Sequence, residues 1–283
     1  MKNPSRRRFL STAAGIAGLS AFEATPASAV IEPAPWGIKL GVATYSFRNF
    51  DRAKTIEMIQ SLKTPWISIK DVHLKQDLTP EQWEAGRKEF EAAGLHIMSG
   101  GNVDMTKDTT IEQLRHHFEY AKYTGMPMMV CAPTHANIKM VESLVKEYNI
   151  RIAIHNHGPE DKNFPTPQSV LEVVRKLDPR CGLCMDVGHS ARTGIDLVKT
   201  ISEAGDRLLD MHVKDLADLR VKESQCDVGD GKIPFPQIFK QLKKMNYQGC
   251  VNLEYEINGK DPLPGMQRSF SYMRGVLAGL AAA

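Results

Sequence analysis

The 283-residue chain lacks most of the features that would divide it or commit it to a particular class of partner. No linker or low-complexity segment interrupts it beyond the first thirty residues, so a single domain is the simplest organisation. No apolar run reaches the ~20 residues that a membrane-spanning helix requires. Its five cysteines are an odd number, which excludes a complete disulfide framework. The formal charge is only +3, and Lys2, Arg6, Arg7 and Arg8 against Glu23 account for all of it, so residues 30–283 sum to zero. A neutral domain lacks the basic footprint of phosphate-backbone binding, which argues against nucleic acid as a partner.

The first residues differ from the rest. Ser5-Arg6-Arg7-Arg8-Phe9-Leu10 precedes a mild apolar stretch rich in Ala and Gly from Ser11 to Ala21, and Ala27-Ser28-Ala29 is a small-residue cleavage site. The paired arginines followed by Phe-Leu resemble a twin-arginine export signal. Residues 1–29 are therefore expected to be a signal peptide and residues 30–283 the domain. The mature protein is expected to be periplasmic or otherwise exported, with no permanent membrane span.

What is present is an alternation. Hydrophobic residues make up 42% of the chain and charged residues 24%, enough to bury a full core. Short β-like runs begin near Ile38, Trp66, Leu95, Pro127, Ile150, Cys181, Leu208 and Gly249, and amphipathic helical stretches lie between them. Thr79-Pro80-Glu81-Gln82 and Thr166-Pro167-Gln168 are helix-start signals. Gly94, Gly125, Gly205 and Gly249 fall where helices should end. Trp83 and Phe90 fit a helix packing face, Met126, Met128 and Met129 fit a buried strand, and the Ala-rich C-terminus is expected to fray. Cys181 and Cys184 form a C-x-x-C within an apolar run, where residues three apart face opposite sides of a strand, so they read as packing residues. Eight strand-helix units of roughly thirty residues, with strands buried on both faces, predict an α/β fold, a single (β/α)8 TIM barrel. An open doubly wound sheet would normally carry a glycine-rich loop after its first strand, where this chain has Thr44-Tyr45-Ser46-Phe47-Arg48.

Residues that bind metals recur at the C-terminal ends of the later strands: His155-Asn156-His157, Asp186, His212 and Glu254. A closed barrel brings those ends together, and alternation puts His155 with His157, His212 with Lys214, and Glu254 with Glu256 on shared faces. A carboxylate ending an apolar strand is costly to bury without a cation or donors. The expected ligands are His155, Asp186, His212 and Glu254. Such a mixed nitrogen and oxygen set suits one divalent ion, Mn2+, Zn2+, Co2+ or Fe2+, better than Ca2+. At the end of the second strand, Lys70 is a candidate acid, base or oxyanion stabiliser, and His73 adds an imidazole expected on the substrate side of the mouth.

Five segments in order, H-N-H-G at His155–Gly158, M-D-V-G-H at Met185–His189, H-V-K-D at His212–Asp215, G-D-G-K-I-P-F from Gly229 and G-C-V-N-L-E at Gly249–Glu254, resemble the xylose isomerase-like barrels. That family is often described as sugar phosphate isomerase/epimerase and is related to endonuclease IV. The resemblance implies a Glu at the strand-five ligand position, where this chain has His155, a departure similar to an exported subgroup acting on 3-keto-glycosides. By the same resemblance His189 contacts substrate.

Together these readings predict a metal-dependent sugar isomerase or epimerase that removes a proton next to a carbonyl. Glu254, His157, Lys70 and Lys214 are the candidate proton-transfer residues, and His189, His73 and Glu256 are the candidate substrate contacts. An exported enzyme with no phosphate-binding loop or arginine cluster visible at the mouth is expected to take a non-phosphorylated sugar or keto-glycoside. A 3-keto-glycoside lyase, an endonuclease IV-like phosphodiesterase and a periplasmic sugar-binding module are the alternatives. The oligomeric state is left open, with a homo-oligomer allowed.

Overall fold

The computed structural model describes residues 37–282, so the predicted signal peptide at 1–29 lies outside the described residues. Eight parallel strands close on themselves in the order β1-β10-β7-β6-β5-β4-β3-β2. They are β1 Lys39–Ala43, β2 Trp66–Ile69, β3 His96–Asp104, β4 Met128–Ala132, β5 Arg151–His155, β6 Cys181–Asp186, β7 Leu208–Val213 and β10 Cys250–Leu253. Every one of the eight expected runs is a barrel strand. Two short additions, β8 Asp215–Leu216 and β9 Gln225–Cys226, pair antiparallel beyond the end of β7. The helices are α1 Arg52–Ser61, α2 Pro80–Ala92, α3 Ile111–Tyr123, α4 Ile138–Tyr148, α5 Pro167–Val174, α6 Val187–Arg192, α7 Leu197–Ala204, α8 Phe235–Lys244 and α9 Leu263–Ala282.

Alternation along each strand divides the apolar residues between two cores. On β4, Met129 and Cys131 join the large cluster between strands and helices, while Met128 and Val130 pack inside the barrel with Ala153 and Cys184. Cys181 belongs to the outer cluster and Cys184 to the inner one, so they face opposite sides, and both are free thiols. Trp83, Phe90, Met126, Met128 and Met129 are all buried, as their spacing predicted. The barrel floor also holds a polar tie that the sequence did not suggest. Asp210 on β7 accepts from Ser99 Oγ on β3 at 2.6 Å and from Asn252 Nδ2 on β10 at 2.8 Å. Burial pushes its carboxyl up to about 6.

The helix starts follow the local chemistry. Thr79 and Gln82 form a reciprocal capping box with Pro80 in the first turn of α2, and Thr166 with Ser169 does the same for α5. Gly94, Gly125 and Gly205 take positive φ values of 75°, 70° and 53° as the chain leaves α2, α3 and α7.

Two expectations need correction. The turn after α8 is made by Asn246 at φ 50°, not by Gly249. Gly249 serves close packing instead: a Cβ there would lie 2.4 Å from the Leu209 carbonyl oxygen and 2.2 Å from the Tyr247 hydroxyl. The Ala-rich C-terminus stays helical through Ala282 because Leu277, deep in the tail, is fully buried.

These assignments predict opposite effects for two neighbouring substitutions. Gly249→Ala should lower stability by about 1–3 kcal/mol through overpacking. Asn246→Gly should be neutral or stabilising, because glycine adopts the left-handed conformation freely. Urea denaturation midpoints of the two variants check this, and an unaffected Gly249→Ala would show that the packing assignment is wrong.

Candidate active site

The closed barrel delivers its strand ends to one small volume, and four side chains there point at each other. His155 Nε2 is 3.2 Å from His212 Nδ1 and 3.7 Å from Asp186 Oδ2, and His212 Nδ1 is 3.5 Å from Glu254 Oε1. Ligand atoms of all four lie within 4.8 Å of one another. Ligands held ~2.1 Å from a common ion sit about 3–3.5 Å apart, so the observed spacings fit a divalent ion. The unpaired atoms agree. Asp186 spends Oδ1 on capping α6, where it accepts from His189 N at 2.7 Å, while its buried Oδ2 has no hydrogen bond of good geometry.

Asn156, between the two histidines of H-N-H-G, is a structural clip. It accepts from Asp186 N at 3.1 Å and donates to Ser190 Oγ at 3.0 Å, pinning the end of β5 to the start of α6. Glu254 lies one residue past β10, and its N–H donates to the Val213 carbonyl at 2.9 Å, which extends the barrel pairing far enough to aim the carboxylate inward.

Lys214 supplies the charge these carboxylates need. Its side chain is only 5% exposed, and Nζ lies 2.7 Å from Glu254 Oε2, 3.2 Å from Asp186 Oδ2 and in contact with Glu256 Oε1. Burial would push the ammonium towards neutrality, but the three carboxylates outweigh it and hold its pKa above the usual value. The same pairing, with Lys214 first and His212 next, keeps Glu254 ionised against the cost of its own burial. Burial lowers the pKa of His155, and the neighbouring imidazoles of His157 and His212 lower it further, which leaves a neutral ring with a free lone pair.

Above these residues opens a cavity of about 610 Å³, lined among others by Tyr45, Lys70, Asn102, His157, His189 and Glu256. Lys70 donates from Nζ to the Asn102 carbonyl at 3.0 Å and lies 5.8 Å from the centre of the Tyr45 ring. The His157 ring packs 4.3 Å from the His155 ring, centre to centre. A smaller compartment of about 190 Å³, lined in part by Leu216, Gln225 and Ile257, adjoins the cavity and shares His189, Lys222 and Glu256 with it.

His73 is the expected contact that does not belong here. It is 3% exposed and does not line the cavity. Its Nδ1 lies 3.0 Å from Thr44 Oγ1, and its Nε2 lies 3.0 Å from Thr55 Oγ1 and 3.2 Å from the Phe47 carbonyl. Both ring nitrogens are used in tying the loop after β1 to α1 and to the loop after β2. Four residues past the strand end, the chain has already turned, and strand alternation no longer says where a side chain points.

Several site residues carried no signal alone. Asn102 follows a Gly-Gly pair in β3, Asp161 sits four residues after His157, and Arg192 sits three after His189. Cys184 lies directly under the ligands, within reach of His155 and His212, but burial pushes its thiol up to about 12, so it is a neutral neighbour of the imidazoles.

Residues 53–276 match the family described as xylose isomerase-like TIM barrel. Inosose dehydratase of Mesomycoplasma hyopneumoniae is 26% identical over 153 residues, 47% of this chain and 50% of that protein. The chain thus spans about half the length of the curated relatives it matches. Among solved structures, 3-keto-D-glucoside 4-epimerase from E. coli superposes with a TM-score of 0.68 at 17% identity, covering 84% of this chain and 99% of that one. L-ribulose 3-epimerase gives 0.68 at 14% identity, covering 87% and 98%. Likeness at this level of identity establishes the shared barrel.

The geometry separates structural from site histidines by experiment. His73→Gln should lose about 1–3 kcal/mol of stability from its broken buried hydrogen bonds and leave divalent-metal affinity unchanged. Burial lowers the pKa of folded His73 below the ordinary 6.5. The unfolded chain therefore binds the extra proton first, and this contribution to stability is present above the unfolded pKa and lost as pH falls through 6.5 towards the folded value. The stability difference between wild type and His73→Gln should shrink from about pH 8 to about pH 5 in urea titrations. A difference that grows on acidification would contradict the assignment.

Proposed function

Because the chain belongs to the xylose isomerase-like TIM barrel family, we propose that it is a divalent-metal-dependent sugar isomerase or epimerase that removes a proton from the carbon next to a sugar carbonyl. The observation that carries this reading is the convergence of His155, Asp186, His212 and Glu254 at the floor of an open cavity. Those four residues would hold the ion. When bound, a divalent ion polarises a carbonyl and its adjacent hydroxyl, which makes the proton on the intervening carbon easier to remove.

The chain's own residues divide the remaining work. His157 and Glu254 face the cavity within reach of a sugar held there and are the candidate proton acceptors. Lys70 and His189 line opposite parts of the wall and are placed to donate to sugar oxygens. Lys214 balances charge, because three carboxylates hold its ammonium. Glu256 anchors that ammonium while lining both compartments.

A neutral substrate is favoured by the lining charges. Lys214 is taken up by Glu254 and Glu256 and Arg192 by Glu160, which leaves Lys70 and Lys222 as the lining cations for a phosphate ester, against Asp104 and Asp161 on the same wall. The export reading of residues 1–29 supports the same conclusion, since phosphorylated sugars are chiefly cytoplasmic. One four-ligand cluster among the described residues supports a single ion over the multi-ion centre of a phosphodiesterase.

A 3-keto-glycoside lyase is the second reading, favoured by the side compartment. Space bordered by Leu216 and Ile257 next to His189 offers room for a group beyond one sugar ring. Proton removal beside the ketone would then expel the glycosidic oxygen from the neighbouring carbon.

Metal analysis of the purified protein, paired with NMR of ketosugars and 3-keto-glycosides in D2O, tests the proposal. Bound metal and deuterium uptake beside the carbonyl are expected, with His155→Ala and Glu254→Ala reducing exchange on the order of 100-fold or more. The product then separates epimerisation from elimination. Sugar binding that survives chelation without any exchange would instead mark a binding module, and cleavage of abasic DNA would mark a phosphodiesterase.

A further inference from the structure

His157 and His189 both line the cavity, with ring centres 5.8 Å apart. Each gives one ring nitrogen to a charged partner whose hydrogen-bonding capacity is one-sided. We propose that Arg192 and Asp161 are positioning residues that hold these two imidazoles in opposite tautomers, so that His189 presents an N–H and His157 a lone pair to neighbouring atoms of the substrate. The chemical use of this pair rests on the isomerase or lyase reading above; the tautomers themselves do not.

Arg192 fixes the first ring. Its side chain, only 5% exposed, ends α6 and turns back under the loop after β5. The guanidinium donates to Glu160 from Nη1 at 2.5 Å and from Nη2 at 2.9 Å, to the His157 carbonyl at 3.3 Å, and to His189 Nδ1 at 2.8 Å. A guanidinium has only donors and stays charged, so Nδ1 of His189 must accept and its proton must sit on Nε2. That Nε2 makes no hydrogen bond among the described residues, and the ring lines both compartments. Gly158, at φ 86°, makes room for the clamp, because a Cβ there would fall 2.6 Å from Arg192 Nη2.

Asp161 fixes the second ring in the other sense. One of its oxygens, Oδ1, accepts from the backbone N–H groups of Asn163 at 2.7 Å and Phe164 at 3.1 Å. The other, Oδ2, faces His157 Nδ1 at 3.3 Å. An ionised carboxylate only accepts, so the proton of His157 sits on Nδ1. Nε2 is left as the acceptor, and it lies 3.0 Å from the Asn102 side-chain amide nitrogen, a donor.

The two roles are not interchangeable. Once the Asn102 amide turns away from His157 Nε2, proton abstraction breaks a C–H bond, sends its electron pair towards the carbonyl oxygen and places the proton on the lone pair that Asn102 has released. Asp161 then faces the imidazolium that forms. The N–H of His189 can donate to a substrate oxygen but cannot take a proton while Arg192 occupies Nδ1. Returning the proton from His157 restores the neutral pair.

Long-range 1H–15N NMR of the histidine rings reads tautomers directly. The full chain would be labelled, loaded with diamagnetic Zn2+ or stripped by chelation, and assigned with His157→Gln and His189→Gln. The expected pattern is a protonated Nδ1 and bare Nε2 for His157 and the reverse for His189. Arg192→Met should shift His189 towards mixed tautomers and leave His157 unchanged, and Arg192→Lys should restore the pattern. Asp161→Asn should remix His157 and, where turnover is found, lower kcat about 100-fold or more with little change in KM. Like tautomers in the two wild-type rings, or an unchanged His189 in Arg192→Met, would overturn the proposal. If Arg192→Met does not fold, the wild-type spectrum and Asp161→Asn decide alone. Opposite tautomers in a protein without exchange activity would leave this assignment standing and remove the functional reading instead.

Discussion

Two carboxylates and two imidazoles crowd into one corner of a closed barrel, and most of the site's other features follow from that crowding. Asp186 and Glu254 end apolar strands, where water cannot solvate them well, and an isolated buried carboxylate would protonate or destabilise the fold. His155 and His212 meet nitrogen to nitrogen at 3.2 Å, an approach that is unfavourable unless a proton or a cation lies between them. The chain answers part of this with the ammonium of Lys214. Asp186 Oδ2 keeps only the ion pair with that ammonium at 3.2 Å and no hydrogen bond, and the outer ring nitrogens His155 Nδ1 and His212 Nε2 are buried without hydrogen bonds. A divalent ion at the convergence of the four side chains would offset both carboxylates and would lie between His155 Nε2 and His212 Nδ1.

Lys214 and the ion would then share the same carboxylates. With the ammonium between Glu254, Asp186 and Glu256, the corner is not strongly anionic before a cation arrives, and Glu256 gives the ammonium an anchor on the side facing the cavity. The design is a local one. Asn156 ties β5 to β6, the Asp186 side chain starts α6, and the Glu254 amide extends β10 alongside β7. His155 and Asp186 end paired strands, His212 lies within β7 and Glu254 directly follows β10, so the rigidity of the barrel passes directly to the geometry of the cluster.

Specificity sits on a different layer. Of the residues that would touch a sugar, Asn102 lies in β3, while Tyr45, Lys70, His157 and His189 follow four other strands, and the clamp of Arg192 with Glu160 ties the segments after β5 and β6 together. With the four-residue cluster at strand ends and the contacts mostly beyond them, the contacts could change without disturbing the cluster.

The barrel, its eight strands and the meeting of His155, Asp186, His212 and Glu254 were legible in the chain, because each depends on local regularity. Two-faced apolar runs make barrel strands, Thr79 and Thr166 start helices, and a polar residue at the end of an apolar strand must lie at the mouth. The remaining placements depend on how distant segments pack. His73 looked like His157 in the sequence, yet it lies in the wall, because four residues beyond a strand end the chain has turned and can aim the side chain anywhere. Gly249 looked like a helix terminator, yet it is needed where Leu209 and Tyr247 press against it. Lys214, Asn102, Glu160 and Arg192 acquire their roles from partners 32 to 55 residues away in the chain, and Asp161 from His157 across a loop. Periodicity records which face of an element is buried; it does not record which charges a closed barrel brings within hydrogen-bonding distance.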